Sequence, residues 1–229
     1  MKIEFLQEVD STNNYIKKYL SGGEDCIVCA ERQTGGKGTK GRSFLSQEGG
    51  VYLTALNFYR NMPADQAFRV MSHSAVAVCR TAADFGVRAQ IKWANDVLVD
   101  GRKLCGILIE NVVSGAQLRA SVVGIGVNVN NDVSALNGIA VNLSEAAGRY
   151  LRTEEVRDCL IGHLQESDGF DEYLSYVSFL GRTVTVIEGQ NSYRAIARRI
   201  LPNGNLEVEQ NGQRRILSAG EISLRLGEV

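Results

Sequence analysis

The chain has 229 residues, with 25 Lys and Arg against 26 Asp and Glu and a net charge of −1. That balance excludes a globally basic nucleic-acid coat and an acidic tail protein, while 44% hydrophobic and 22% charged residues are the proportions of a globular domain. The 24 glycines beside only 2 prolines exclude collagen and proline-rich disorder and leave the glycines to be explained.

Residues 2–9 alternate as a strand. Asp10 and Ser11 then offer N-cap chemistry for a short helix carrying Tyr15, Ile16, Tyr19 and Leu20, which Gly22-Gly23 ends. Residues 26–31 are a short apolar strand. Residues 33–50 read as a glycine-dense loop, and 51–58 as a strand. Pro63 is expected to open a long helix that ends near Gly86. Strand-like runs follow at 88–93, 96–99 and 104–110, then at 121–130, where glycines interrupt the run. Residues 144–150 suggest a short helix and 153–178 one or two more. After Phe179 the chain has no Lys and no Asp. It breaks there into β-rich runs at 182–187, 193–201, 205–209 and 214–217, with turn signals between them. A small five-stranded barrel is expected, with the domain boundary near residue 178 (1–178 and 179–229).

Five cysteines, an odd number, fit a reducing compartment. No signal peptide and no apolar run of about 18 residues is legible, so a cytoplasmic protein is expected. Cys26 and Cys29 form a C-x-x-C, but three residues apart in a strand they point to opposite faces, so both read as buried structural thiols. His73 and His163 lie in helical stretches without partners at metal or triad spacing and read as packing or surface residues.

The segment Gly35-Gly36-Lys37-Gly38-Thr39-Lys40-Gly41-Arg42-Ser43 carries the strongest local signal. It contains a G-x-G-x-x-G and nearly a P-loop, yet both motifs need a helix directly after the glycines, and here a strand follows. What remains is backbone that can approach an anion closely and three cations with no acid between them: a loop suited to phosphate. Lys92-Trp93-Ala94-Asn95-Asp96 joins two strands and is followed by Lys103, a second cation for the same chemistry. Gly124 and Gly126, inside an apolar strand, imply close approach of a ligand or another backbone. Ser11-Thr12-Asn13 reads as a helix start, either capping it or meeting a ligand's polar head.

Taken in order, five segments resemble the biotin protein ligases. They are Ser11-Thr12-Asn13, residues 30–34 leading into the glycine-basic loop, the Lys92–Asp96 segment, residues 101–110 and residues 123–130. Residues 220–225 resemble the family's closing segment. The resemblance implies an α+β fold: a mixed β-sheet flanked by helices, akin to class II aminoacyl-tRNA synthetases, with a small SH3-like C-terminal barrel. It implies two steps, formation of biotinyl-5′-AMP from biotin and ATP, then transfer of biotin to a lysine of a biotin carboxyl carrier domain. Ser11, Thr12, Asn13 and Gln33 would bind biotin. Lys37, Gly38 and Thr39 would lie over it, and Lys103 would hold its carboxylate and the phosphoryl oxygens. Gly36, Gly41, Arg42, Phe44, Asn95 and Asn128 would serve the nucleotide. Lys103 and Lys37 would carry catalysis, with Mg2+ arriving on ATP and no metal site in the protein. Thr39 replaces a usual cation of this loop, Lys37 a usual arginine, Ala94 a usual proline and Phe44 a common tryptophan.

Lipoate ligases share the reaction type, but their R-R-x-x-G-G-G segment with its histidine-acid pair is missing here. A biotin-binding protein with weakened catalysis is the other alternative. DNA binding is not expected, because the Ser-Thr-Asn motif begins at residue 11. Nor is a membrane partner. The resemblance implies a homodimer formed by sheet extension.

Overall fold

The computed structural model describes residues 1–166, 170–218 and 222–226, the last segment as backbone only. A seven-stranded sheet forms its main body. In chain order its strands are β1 (Lys2–Val9), β2 (Cys26–Gln33), β3 (Val51–Pro63), β4 (Gln90–Lys92), β5 (Asp96–Val99), β6 (Arg102–Ser114) and β7 (Gln117–Val127). The spatial order is β1-β2-β3-β7-β6-β5-β4. Only β1 and β2 pair in parallel; the other neighbours are antiparallel, so the sheet is mixed.

Period-two alternation sorts the two faces. Ile27, Cys29, Leu53, Ala55, Val123 and Ile125 lie in one core with helix α2 (Phe68–Asp84). Cys26, Val28, Leu56 and Val122 pack on the other face with Ile16 of helix α1 (Thr12–Ile16). Cys26 and Cys29 therefore point to opposite faces, both buried and unpaired, and burial pushes the Cys29 thiol up to about 12. Helix α2 sits close to the sheet because small residues, Ala75, Ala77 and Ala82, fill its buried stripe. Its hydroxyls are satisfied internally: Ser74 donates to Val70 O (2.7 Å) and Thr81 to Ala77 O (2.8 Å).

Pro63 does not open α2. It ends β3 opposite Gln117, and the helix begins at Phe68 after a single 3₁₀ turn. The long β3–β7 ladder carries the chain past the expected helix start, and a proline at a strand end has no N–H to leave unpaired. The expected strand 88–93 shortens to 90–92, and the Trp93–Ala94 peptide bond is cis.

Three short helices follow the sheet: α3 (Leu143–Ala147), α4 (Thr153–His163) and α5 (Phe170–Ser175). A second, antiparallel sheet then holds β8 (Thr183–Glu188), β9 (Asn191–Ile200), β10 (Leu206–Gln210), β11 (Gln213–Leu217) and β12 (Ile222–Leu226) in the order β11-β10-β9-β8-β12. Gly220 and Glu221 of the closing segment lie outside the described residues. The apolar core is continuous between the sheets: Val184, Ala197, Leu206 and Val208 belong to the cluster that contains α2.

Candidate active site

The glycines inside the strands form a floor on the α1 face. Thr54 pairs with Gly124, and Gly126 with Gly106, across three adjacent strands. What approaches this bare backbone is the protein's own side chains. A Cβ on Gly124 would lie 2.9 Å from Asn13 Cγ, and one on Gly126 would lie 2.5 Å from Phe44 Cε1. The expected close approach is real, but a side chain from α1 and one from the loop make it.

The start of α1 supplies the polar wall. Ser11 holds the N-cap position with extended backbone, yet its side chain makes no capping bond, contrary to the capping expected for it. Ser11, Thr12 and Asn13 are all buried. Thr12 donates from its backbone N–H and its hydroxyl to Gln33 Oε1 (2.8 and 2.9 Å), and Gln33 Nε2 donates to Ser46 Oγ (2.8 Å). The Thr54 hydroxyl lies 2.8 Å from Thr12 Oγ1 and 2.7 Å from Asn13 Oδ1. Asn13 Nδ2 donates to Glu110 (3.1 Å), which also takes Lys17 Nζ at 2.7 Å. Burial pushes the Glu110 carboxyl up, but the hydrogen bonds from Lys17 and Asn13 outweigh it and hold the group below its ordinary value. The side chains of Thr12, Asn13, Gln33 and Thr54 are each oriented by a neighbour, as a recognition surface for a polar head requires.

Residues 36–44 fold back as a narrow loop. Lys37 bridges Ser43, Gly38 N donates to Arg42 O (2.7 Å) and Phe44 N to Gly36 O (2.8 Å). The tip turns through left-handed backbone at Lys40 (φ 59°) and Gly41 (φ 72°). A Cβ on Gly36 would stand 2.6 Å from Ser46 Oγ, so this glycine admits the returning strand of the loop. Lys37 Nζ donates to Asn14 Oδ1 (2.7 Å). Arg42 donates to Thr39 O (3.2 Å) and Thr39 Oγ1 (2.9 Å).

The Lys92–Asp96 segment divides its tasks. Asn95 is fixed to β6, its side chain donating to Ile107 O (3.0 Å) and its carbonyl accepting from Ile107 N (3.0 Å). Asp96 Oδ1 holds Lys103 Nζ at 2.6 Å, with the ammonium 5.8 Å from the Phe44 ring centre. Trp93 turns away from the site, buried, and donates Nε1–H to Gly204 O in the C-terminal part (2.8 Å).

Ser11, Thr12, Asn13, Gln33, Lys37, Gly38, Thr39, Arg42, Phe44, Asn95 and Lys103 come together around one cavity of ≈ 130 Å³. Gly36, Gly41 and Asn128 are not in its wall. Asn128 is buried, and its amide faces Lys103 O and Val141 O (3.4 Å each) and accepts from Asn131 (3.0 Å). Leu53, Ile107 and Leu108 also line the cavity and carry no sequence signal beyond strand alternation. A larger cavity, ≈ 710 Å³, opens on the α2 face beside Arg69, His73 and Phe170. Size alone would favour it, but it lacks the loop, the lysine pair and the oriented amides, so the smaller one is the candidate active site.

Residues 5–128 match the family described as "Biotin/lipoate A/B protein ligase family", and residues 179–225 match "Biotin protein ligase C terminal domain". The chain is 30% identical to the bifunctional ligase/repressor BirA of Escherichia coli over 99% of its own length and 75% of that protein's. It is 28% identical to a biotin–[acetyl-CoA-carboxylase] ligase of Paracoccus denitrificans, over 95% of this chain and 98% of that one. Among solved structures, a biotin protein ligase from Aquifex aeolicus in complex with biotin and ATP superposes over 99% of both chains with a TM-score of 0.78 at 23% identity. The chain belongs to the biotin/lipoate A/B protein ligase family and, by its second matched domain, to the biotin protein ligases within it.

Proposed function

We propose that the protein activates biotin with ATP to biotinyl-5′-AMP, releasing pyrophosphate, and passes the biotinyl group to one lysine of a biotin carboxyl carrier domain. The observation that carries this reading is the convergence of an oriented amide–hydroxyl wall and two lysines on one glycine-floored cavity. The wall of Ser11, Thr12, Asn13 and Gln33 suits a ureido head, which both donates and accepts. Lys103, held by Asp96, and Lys37, held by Asn14, complete the lining and would meet the carboxylate and α-phosphate.

In the first step the biotin carboxylate oxygen attacks the α-phosphorus and pyrophosphate leaves. In the second the carrier's lysine amine attacks the acyl carbon and AMP leaves. Neither step needs a protein nucleophile. Catalysis rests on positioning and on cations aimed at developing negative charge. The described wall holds no carboxylate; Asp96, behind it, is engaged by Lys103. In this reading Mg2+ would enter as part of the nucleotide substrate and neutralise its phosphates.

A cavity of ≈ 130 Å³ is well below the roughly 300–1,000 Å³ of a ligand site. Phe44 and the 36–43 loop fill the remainder, so biotin and ATP displace them on entry. The small second sheet is read here as an SH3-like barrel beginning at residue 179. Incubation with biotin, Mg-ATP and a carrier domain tests the function: biotinylated carrier is expected, whereas adenylate without transfer, or activity with lipoate only, would refute it.

A further inference from the structure

On the face of the sheet away from the cavity, helices α2 and α4 end side by side. Asp84 is the last residue of α2 and His163 the last of α4, with Cys159 one turn earlier on the same face of α4. One oxygen, Asp84 Oδ2, is contacted by both other side chains: Cys159 Sγ donates to it at 3.1 Å and His163 Nε2 lies 2.7 Å away. All three donor atoms lie within 4.8 Å of one another. On the far side of the imidazole, Nδ1 lies 3.2 Å from Glu166 Oε2, which Arg80 also holds at 2.7 Å.

We propose that Asp84, Cys159 and His163 form a binding site for a zinc-class divalent cation, with Glu166 orienting the imidazole from behind. Thiolate, imidazole and carboxylate are the donor set of a tetrahedral zinc site with a fourth position left to water. A carboxylate on the non-ligating ring nitrogen fixes which nitrogen faces the metal. Both helices present their C-terminal ends here, and their dipoles favour a positive ion. Tetrahedral bonds of about 2.0–2.3 Å place ligand atoms roughly 3.3–3.8 Å apart, so the present contacts need to open by only about half an ångström to one ångström.

The protons balance. A dication displaces to solvent the thiol proton that Cys159 now donates to Asp84 Oδ2, together with any proton on His163 Nε2, while Nδ1–H keeps its bond to Glu166. The site clamps the end of α2 to the end of α4.

Cobalt(II) titration of the untagged chain, with magnesium in excess, tests the site. One equivalent should bind and produce a thiolate-to-cobalt charge-transfer band, which zinc abolishes by displacement. Cys159→Ser should lose the band. His163→Gln and Glu166→Gln should keep it with affinity weakened by at least about tenfold. Zinc should raise the melting temperature of the parent chain and not that of Cys159→Ser, whose native circular dichroism serves as the folding control. If Cys159→Ser misfolds, Cys159→Ala provides the same comparison. No charge-transfer band at one equivalent, or an undiminished band in Cys159→Ser, would overturn the proposal.

Discussion

Lys103 stands where the cavity, the Lys92–Asp96 segment and the basic loop meet, tied to Asp96 at 2.6 Å. Replacing it with alanine removes the cation proposed to face the reacting phosphoryl oxygens. Pyrophosphate release should fall by about 10²–10³, the usual loss for one preorganised charge-stabilising group, with the melting temperature nearly unchanged. A near-normal rate would count against its role. Glu110 acts one step back, aligning Asn13 and Lys17. Its carboxyl titrates below its ordinary value, so the stabilisation it gives Asn13 is present above about pH 4.3 and disappears as the pH falls through the lowered folded value. Glu110→Gln should raise the KM for biotin more than it lowers kcat; equal effects on both would mean that Glu110 does more than position Asn13. Both residues were legible unequally. Lys103 stood out as a cation after a polar turn, whereas Glu110 read only as the end of an apolar strand, because its partners lie 93 and 97 residues away.

Among the elements, β7 and the basic loop carry the sharpest consequences. Gly126 is glycine because Phe44 occupies the space of a Cβ. Gly126→Ala should cost about 1–3 kcal/mol, the usual cost of overpacking, measured by denaturant unfolding, and should lower adenylate formation, because its methyl stands on the cavity floor that the substrates use once Phe44 has moved. An alanine variant with full activity would show that the substrates do not use this part of the floor. In the loop, Thr39 engages Arg42 through its hydroxyl and carbonyl. Thr39→Arg adds a cation and frees Arg42 from that hydroxyl, so biotinyl-AMP should escape more slowly in a chase with unlabelled biotin; equal release rates would refute this. The strands and helices of this region follow from alternation and turn residues, since both are local. Two boundaries did not. Pro63 resembled a helix start but closes a strand, because the cross-strand partner Gln117 is invisible to local pattern. Ser11 resembled a cap, yet it is buried in the cavity wall without a capping bond.

At the level of the whole molecule, Trp93 joins the two sheets. Its indole N–H donates to Gly204 O, and the apolar cluster runs on from α2 into Val184, Ala197 and Leu206. The chain should therefore unfold in one calorimetric transition. Trp93→Phe leaves the buried Gly204 carbonyl without its donor, which costs roughly 1–3 kcal/mol, and should lower the midpoint of that single transition. Two separated transitions in the parent chain would show the sheets to be independent.

The residues alone disclosed the alternation of the strands, the basic glycine loop, the two-part composition and the family resemblance, because these depend on neighbours in the chain or on motifs in order. The assembly of Asn13, Phe44, Gly124 and Lys103 around one cavity, the turning of Trp93 toward Gly204, and the meeting of Asp84, Cys159 and His163 came from the folded chain. Each depends on strand register and helix packing that bring together residues tens of positions apart, where side-chain volume and unpaired polar groups, not local preference, determine what can sit beside what.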